Sequence, residues 1–263
     1  MGTLVQYATD KGVALITLTD PPANAFSHEM FKELDSCVLE ARFDDDVHVL
    51  VVTGHGDKYF SAGANVNMLK EADETFKYYF ALHANETLLR LENTPKLVLA
   101  AINGHAIGGG LELALACDMR VARGGHQVGL PEVGMGILPA TGGTQRLART
   151  VGKARAMELL IEGQPLSGDD ALAIGLVHKT WDTESHEAFM RRILEYAHEF
   201  CPPGRASATV GALKRAAQAA GETSLEQGIA LERELQARVL STGDAKEGLA
   251  ASVQKRKPVF RGR

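Results

Sequence analysis

Glycine is spread unevenly along this chain, and that unevenness constrains its fold more than any other feature. Of the 263 residues 27 are glycine, and they crowd between positions 54 and 152, in the segments GHGDKYFSAGA, INGHAIGGG and PEVGMGILPATGG. Glycine among good core-forming residues marks a positive φ or a close backbone approach. Two of these segments directly follow continuous apolar runs, HVLVVT (48–53) and LVLAAI (97–102). Runs without polar alternation are strands buried on both faces. The shared strand-then-glycine outline hints at repeated ββα units. The chemistry is expected in these glycine-rich stretches.

Around them the first half alternates short strands with helices. Val13 to Leu18 is a β-branched run stopped by Asp20-Pro21-Pro22. Ser27 is placed to cap a helix whose apolar residues Phe31, Leu34, Val38 and Ala41 share one face. A helix from Val66 to Arg90 carries Met68, Leu69, Phe76 and Phe80 and is expected to set the depth of any pocket. Gly108-Gly109-Gly110 opens another helix, and Asp118 to Ala122 reads as a strand. Beyond about residue 143 strand signals nearly vanish, apart from Leu176 to Thr180, and helices follow one another. One is marked by Phe189, Ile193, Tyr196 and Phe200; Ser224 to Gln227 has capping-box form ahead of another. The predicted class is α/β, with a core over residues 1–195 and a helical region over 196–263.

Composition removes several functions. The formal charge is −5, from 28 Lys+Arg against 33 Asp+Glu, which argues against a nucleic-acid partner because phosphate contacts need excess cations. Cys37, Cys117 and Cys201 are far apart in apolar or helical context and read as small buried hydrophobes of a reducing compartment. The N-terminal MGTLVQYATDKG lacks the basic and apolar regions of a secretory signal, and no run of about 18 apolar residues exists. A cytoplasmic protein with no membrane partner is expected. GxxxxGK[ST], HExxH, CxxC and GxSxG are all absent, and no histidine pair has metal-ligand spacing on a clear helix face, so no metal is expected.

Three segments carry chemistry. In Tyr59 to Val66 small residues leave backbone N–H groups open to a ligand, although a tight strand-to-helix loop would look the same. At Gly108 to Gly110 a helix start aims unpaired N–H groups and the positive dipole end outward, a natural seat for an oxyanion. Glu112 is the one charge in the run LELALA, and a first-turn Glu that merely favours the dipole is an equal alternative. Glu132 stands between apolar and small residues, where desolvation would raise its pKa towards acid–base use; an exposed loop Glu is the plainer alternative. Two such carboxylates beside two exposed-amide loops point to water addition or proton transfer next to a polarised carbonyl.

Four co-linear segments resemble the crotonase superfamily, the enoyl-CoA hydratase/isomerase group, and are closest to enoyl-CoA hydratases. They are AGAN (62–65), INGHAIGGGLELALACD (102–118), LPEVGMGILPATGGTQRL (130–147) and EGLAASVQKRKPVF (247–260). The resemblance implies a spiral of ββα units followed by a C-terminal helical trimerisation region, assembled as a homotrimer or a dimer of trimers. It implies an oxyanion hole from the N–H groups of Ala64 and Gly109, and Glu112 and Glu132 as the carboxylates that hold the reacting water. Glu112 would be the general base on water and Glu132 would supply the proton to Cα. It assigns Ala23, Ala25, Ala62, Asn65 and Val66 to the coenzyme A side, with Lys255 and Phe260 reaching coenzyme A from the tail, in some members from a neighbouring subunit. Two departures stand out: Asn65 where AGAD is commoner, and a loop at Pro21 to Asn24 that is shorter than in many hydratases and lacks their basic residue.

The implied reaction is syn addition of water to a trans-2-enoyl-CoA, giving the 3-hydroxyacyl-CoA without metal or redox cofactor; coenzyme A is part of the acyl-CoA thioester substrate. A Δ3-Δ2 enoyl-CoA isomerase or another crotonase-type CoA-thioester enzyme is the alternative within the family. Isomerases generally manage with the Glu132 position alone, so Glu112 favours hydration. An RNA-binding relative would need more than the short basic cluster at Lys255-Arg256-Lys257, Arg261 and Arg263. A non-catalytic acyl-CoA binder would have no use for both carboxylates. Gly109 is expected at a cavity edge rather than in the core.

Overall fold

A computed structural model describes residues 3–262. It opens with a hairpin, β1 (Val5–Asp10) and β2 (Val13–Leu18), turned at Lys11-Gly12 with φ of 47° and 87°, as a two-residue hairpin loop requires. Then come α1 (His28–Phe43), β3 (Val49–Gly54), β4 (Tyr59–Ser61), α2 (Val66–Glu71), α3 (Glu74–Glu92), β5 (Leu97–Ile102), β6 (His105–Ile107) and α4 (Gly109–Leu115). These are followed by β7 (Met119–Arg123), β8 (Gln127–Gly129), α5 (Gly143–Val151), α6 (Lys153–Glu162), β9 (Leu166–Ser167), α7 (Gly168–Ala173) and β10 (Lys179–Trp181). The remainder is helical: α8 (His186–His198), α9 (Ser207–Ala219), α10 (Leu225–Leu240) and α11 (Gly243–Val253).

The strands divide between two sheets and alternate between them from β3 to β8. A six-stranded sheet has the order β1-β2-β3-β5-β7-β10, parallel from β2 onward, and a four-stranded sheet has the order β4-β6-β8-β9. Each turn of the chain lays one strand in each sheet and then a helix: β3, β4 and α2–α3; β5, β6 and α4; β7, β8 and α5–α6. The strand-then-glycine outline of the sequence is therefore a true ββα repeat.

The apolar runs sort by parity, as period-2 side chains must. Leu50 and Val52 of β3, with Val98, Ala100 and Ile102 of β5, join the core beneath α1, α3 and α4. Val49, Val51, Leu97, Leu99 and Ala101 point the other way, onto Phe189, Ile193 and Ala197 of α8. Both strands are buried at every position, which is why they read as unbroken apolar runs. Helix α8 thus belongs to the sheet packing, and the division expected at residue 195 falls inside it.

Other expectations need adjustment. The helix predicted over Val66 to Arg90 is two helices, because the Asp73 side chain accepts the Phe76 N–H at 2.7 Å and starts α3 afresh. Leu176 and Val177 are not strand: both turn their N–H groups back to Ala171 O and close the end of α7, leaving only Lys179–Trp181 to pair with β7. The two-residue β9 carried too little pattern to be seen. Ser27 and the Ser224–Gln227 capping box start their helices as expected.

One buried amide ties the first loop to the spiral. Asn24, 1% exposed with φ of 50°, donates from Nδ2 to His55 O and Tyr59 O at 3.0 and 2.9 Å and accepts the Asp20 N–H at 3.2 Å. Its carbonyl accepts the Ser61 hydroxyl, and Ala23 O accepts Ala62 N–H. Asn24→Ala strips the donors from buried carbonyls and leaves a positive φ without local support. It should lower the unfolding free energy by about 2–3 kcal/mol. An unshifted urea midpoint would show that this loop hangs free of the spiral.

Candidate active site

Three loops that leave neighbouring parallel strands build the site. In the small sheet β4 pairs with β6 and β6 with β8, all parallel, so their C-terminal ends lie side by side. Ala64 lies just past β4, Gly109 just past β6 and Glu132 just past β8. The crevice beyond the carboxyl ends of parallel strands is where ligands bind in such sheets.

The first loop presses against the start of α4. Gly63 has φ of +83°, and a Cβ there would sit 2.6 Å from Gly109 N, so only glycine lets the two main chains meet. Phe26 N–H bonds to Gly63 O at 2.7 Å and Asn65 N–H to Phe26 O at 2.9 Å, which orients Ala64 between them. The Ala64 N–H has no main-chain acceptor among the described residues, and Gly109, as the first residue of α4, has none within its helix. Two free amides thus converge on one cavity, the arrangement that holds a developing oxyanion.

Both carboxylates open onto that cavity, in unlike surroundings. Every residue of α4 is buried, so Glu112 in its first turn is 3% exposed. Its Oε1 accepts the N–H groups of Thr141 at 2.9 Å and Gly143 at 2.7 Å, and its Oε2 accepts the Thr141 hydroxyl. Glu132 begins a short 3-10 turn, Glu132–Met135, and is 6% exposed. Its Oε2 meets no donor, and its Oε1 lies 2.8 Å from where a Cβ on Gly108 would be. Burial, reinforced by the Glu112 charge and only partly opposed by its own backbone N–H, pushes its pKa up to about 7. One carboxylate is held in acceptor contacts, and the other keeps its proton near neutrality.

The cavity measures about 480 Å³. Phe26, Phe31, Leu69 and Phe80 give it an apolar wall, while Ala62, Ala64, Gly108 and Gly109 present main chain. Among the described residues no three His, Cys, Asp or Glu side chains are grouped to hold a metal ion.

The structure brings Glu112, Glu132, Ala64, Gly109, Ala62 and Val66 together around this space and leaves the other expected residues outside it. Asn65 is turned away because its side chain accepts the Met68 N–H and caps α2. Ala23 and Ala25 are half-buried off the cavity, with Ala23 tied to Ala62 through its carbonyl. Lys255 is exposed and Phe260 lies near Gly248 of α11, because the tail folds back so that Asp244 accepts the N–H groups of Arg261 and Gly262. Neither tail residue lines the cavity of its own chain. Gly109 lines the cavity and is itself buried; a Cβ there would sit 3.2 Å from Gly63 Cα and from the Phe26 ring, so a β-branched valine would force the loop or the ring to move.

The sequence marked Gly108 at the start of α4 and Leu69 and Phe80 for the depth of the pocket, but it did not single out Thr141 or place Phe26 and Phe31 in the wall. Thr141 stood inside a segment already marked, in the ATGG stretch before α5, but nothing local signals that its hydroxyl turns back to Glu112.

Comparison with known proteins agrees with this architecture. The family described as enoyl-CoA hydratase/isomerase matches residues 8–263. A probable enoyl-CoA hydratase of Bacillus subtilis is 36% identical, over 98% of each chain. A short-chain-enoyl-CoA hydratase of Clostridium acetobutylicum is 37% identical, over 93% of this chain and 92% of its own. The crystal structure of an enoyl-CoA hydratase from Geobacillus kaustophilus superposes with a TM-score of 0.95 at 38% identity, covering 100% of this chain and 98% of that one. The chain has the crotonase fold and belongs to the enoyl-CoA hydratase/isomerase family.

Proposed function

We infer that this chain is an enoyl-CoA hydratase, a carbon–oxygen lyase acting on an acyl-CoA thioester. The observation that carries the reading is the convergence of two buried carboxylates and two free amides on one apolar-walled cavity. The thioester oxygen of a trans-2-enoyl-CoA sits between the N–H groups of Ala64 and Gly109. Glu112, an acceptor in every contact it makes, takes a proton from water as the hydroxyl adds to C3. The electron pair moves through C2 onto the thioester oxygen, where the amides stabilise it. Glu132 then delivers its proton to C2 as the enolate collapses, and proton exchange with solvent resets both carboxylates. One water is added and no electrons are transferred, so the reaction draws on no redox cofactor.

The finer setting is also a proposal. Exposed apolar residues on the last helices, Leu225 at 81%, Leu249 at 61% and Val253 at 85%, support assembly as a homotrimer or dimer of trimers. Lys255 and Phe260, turned from their own cavity, would then serve a neighbour's coenzyme A. No helix among the described residues is long and apolar enough to cross a membrane. Three free buried cysteines, with thiols pushed up to about 11 or 12 by burial, support a cytoplasmic setting.

Three measurements test the assignment. Glu132→Gln keeps the shape but removes the proton, and kcat for crotonyl-CoA should fall by about 10²–10⁴. Glu132 must be protonated to act, so wild-type kcat/KM should decline as pH rises through about 7; the surviving activity of Glu132→Gln should lack that limb. Wild-type turnover in the variant would remove Glu132 from the mechanism.

Glu112→Gln should cost hydration about as much, within the same 10²–10⁴ range. If the chain is instead an isomerase using Glu132 alone, conversion of a 3-enoyl-CoA survives Glu112→Gln and is lost in Glu132→Gln. Assaying both reactions on both variants separates the two readings.

Because Gly109 is packed against Gly63 and Phe26, alanine is the informative replacement. Its Cβ must push the amide or the loop by a few tenths of an ångström, and kcat should drop by about 10²-fold through misplacement of the donor. Full activity in a folded Gly109→Ala enzyme would place the carbonyl elsewhere.

A further inference from the structure

We propose that the Thr141 hydroxyl is a positioning group for hydration, locking the Glu112 carboxylate in the plane from which it takes the proton of water; this role rests on the hydratase reading. The two backbone donors, Thr141 N–H and Gly143 N–H, both reach the same oxygen, Oε1, at 2.9 and 2.7 Å. Alone they tether one corner of the carboxylate. The terminal torsion of a glutamate is broad and two-fold, so the second oxygen would still swing. The Thr141 hydroxyl removes that freedom by donating to Oε2. A carboxylate oxygen accepts two hydrogen bonds, so Oε2 keeps one acceptor site for the reacting water.

The hydroxyl is itself held from behind. Thr141 is 7% exposed, so bulk water does not compete for its proton. Its carbonyl accepts from Arg146 Nη1 at 3.0 Å, and Arg146 in turn donates to Glu92 Oε2 from Nε at 3.1 Å and Nη2 at 2.8 Å. The preceding carbonyl, Ala140 O, accepts from Asn85 Nδ2 at 2.9 Å. Glu92 and Asn85 both belong to α3, the helix that also walls the cavity through Phe80. The branched Cβ of threonine further limits its own χ1. A chain of contacts therefore runs from α3 through Arg146 and Thr141 to the base. Among the described residues nothing equivalent reaches Glu132, whose Oε2 has no donor. The base is fixed, and the acid is left free to follow the α-carbon. The backbone bonds survive any substitution that keeps the loop; the hydroxyl bond depends on the residue type at 141 alone.

The test is steady-state hydration of crotonyl-CoA by the full-length wild type and by Thr141→Val, Thr141→Ala and Thr141→Ser, with thermal melts of each. Val keeps the shape without the hydroxyl, and the Ser/Ala pair differs by the hydroxyl alone, which preserves the comparison if Val fails to fold. Val and Ala should lose about 10–10² in kcat with KM changed less than about twofold, and Ser should stay within about threefold of wild type. Wild-type kcat in Val and Ala overturns the role. So does a Ser variant as slow as Ala, which would assign the effect to the methyl group, and so does a loss confined to KM. A wild type that does not hydrate crotonyl-CoA overturns the hydratase reading and this role with it. An active wild type with an equally active Val variant overturns this role alone.

Discussion

The loop that follows β4 and the first turn of α4 meet main chain against main chain. A Cβ on Gly63 would lie 2.6 Å from Gly109 N, and one on Gly108 would lie 2.8 Å from Glu132 Oε1. Side chains at these positions would hold the strands' ends apart and separate the two free amides that converge on the cavity. Glycine in a helix start and in a loop costs conformational entropy. Here that cost is offset by the rigid sheets underneath, whose strands β3 and β5 are buried at every position. The stable core thus holds a close approach that the loops alone could not keep.

The same geometry sets the chemistry of the two carboxylates. Both are under a tenth exposed, so water does little for either charge. Glu112 replaces that water with three donors, two of them backbone groups of Thr141 and Gly143 just ahead of and within the first turn of α5. Glu132 has one oxygen with no donor, and burial holds its pKa near 7. Two identical side chains on one cavity therefore sit in opposite surroundings, one saturated with donors and the other short of them. Hydration needs both a group that takes a proton and a group that gives one, and isomerisation can be run by one carboxylate that does both in turn. Two carboxylates in such unlike surroundings suit the former.

How much of this was legible in the sequence follows from the range of each interaction. The buried strands, the Ser27 cap, the capping box at Ser224 and the glycine loops are local patterns, and the structure places them where the pattern does. Glu112 and Glu132 were visible as charges in surroundings that do not suit charges. The break between α2 and α3 was legible in principle, since Asp73 followed by Glu74 is an ordinary helix start, but apolar spacing continued across it and masked the cap. Asn65 was expected on the coenzyme A side; its side-chain oxygen accepts the Met68 N–H at the start of α2, a contact the glycine-loop pattern did not report. The Thr141–Glu112 bond joins residues 29 positions apart, and no periodicity reports such a contact. The place of Lys255 and Phe260 depends on how the tail folds back on Asp244, again a long-range matter.

The repeat explains why the site is assembled from distant pieces at all. Adjacent strands in a sheet are roughly 4.8 Å apart, so the ends of β4, β6 and β8 offer three neighbouring posts across about 10 Å. Each ββα turn of the spiral ends one strand there and contributes to the site: the Ala64 amide after β4, the Gly109 amide and Glu112 after β6, and Glu132 after β8. Parallel pairing is what puts all three loops on the same edge; an antiparallel neighbour would send its loop to the opposite end of the sheet. The fourth strand makes the point, since β9 pairs antiparallel with β8, and no residue after it lines the cavity. The loops of the small sheet that line the cavity stop where the parallel pairing stops, so the extent of the site follows from sheet topology before it is a matter of chemistry.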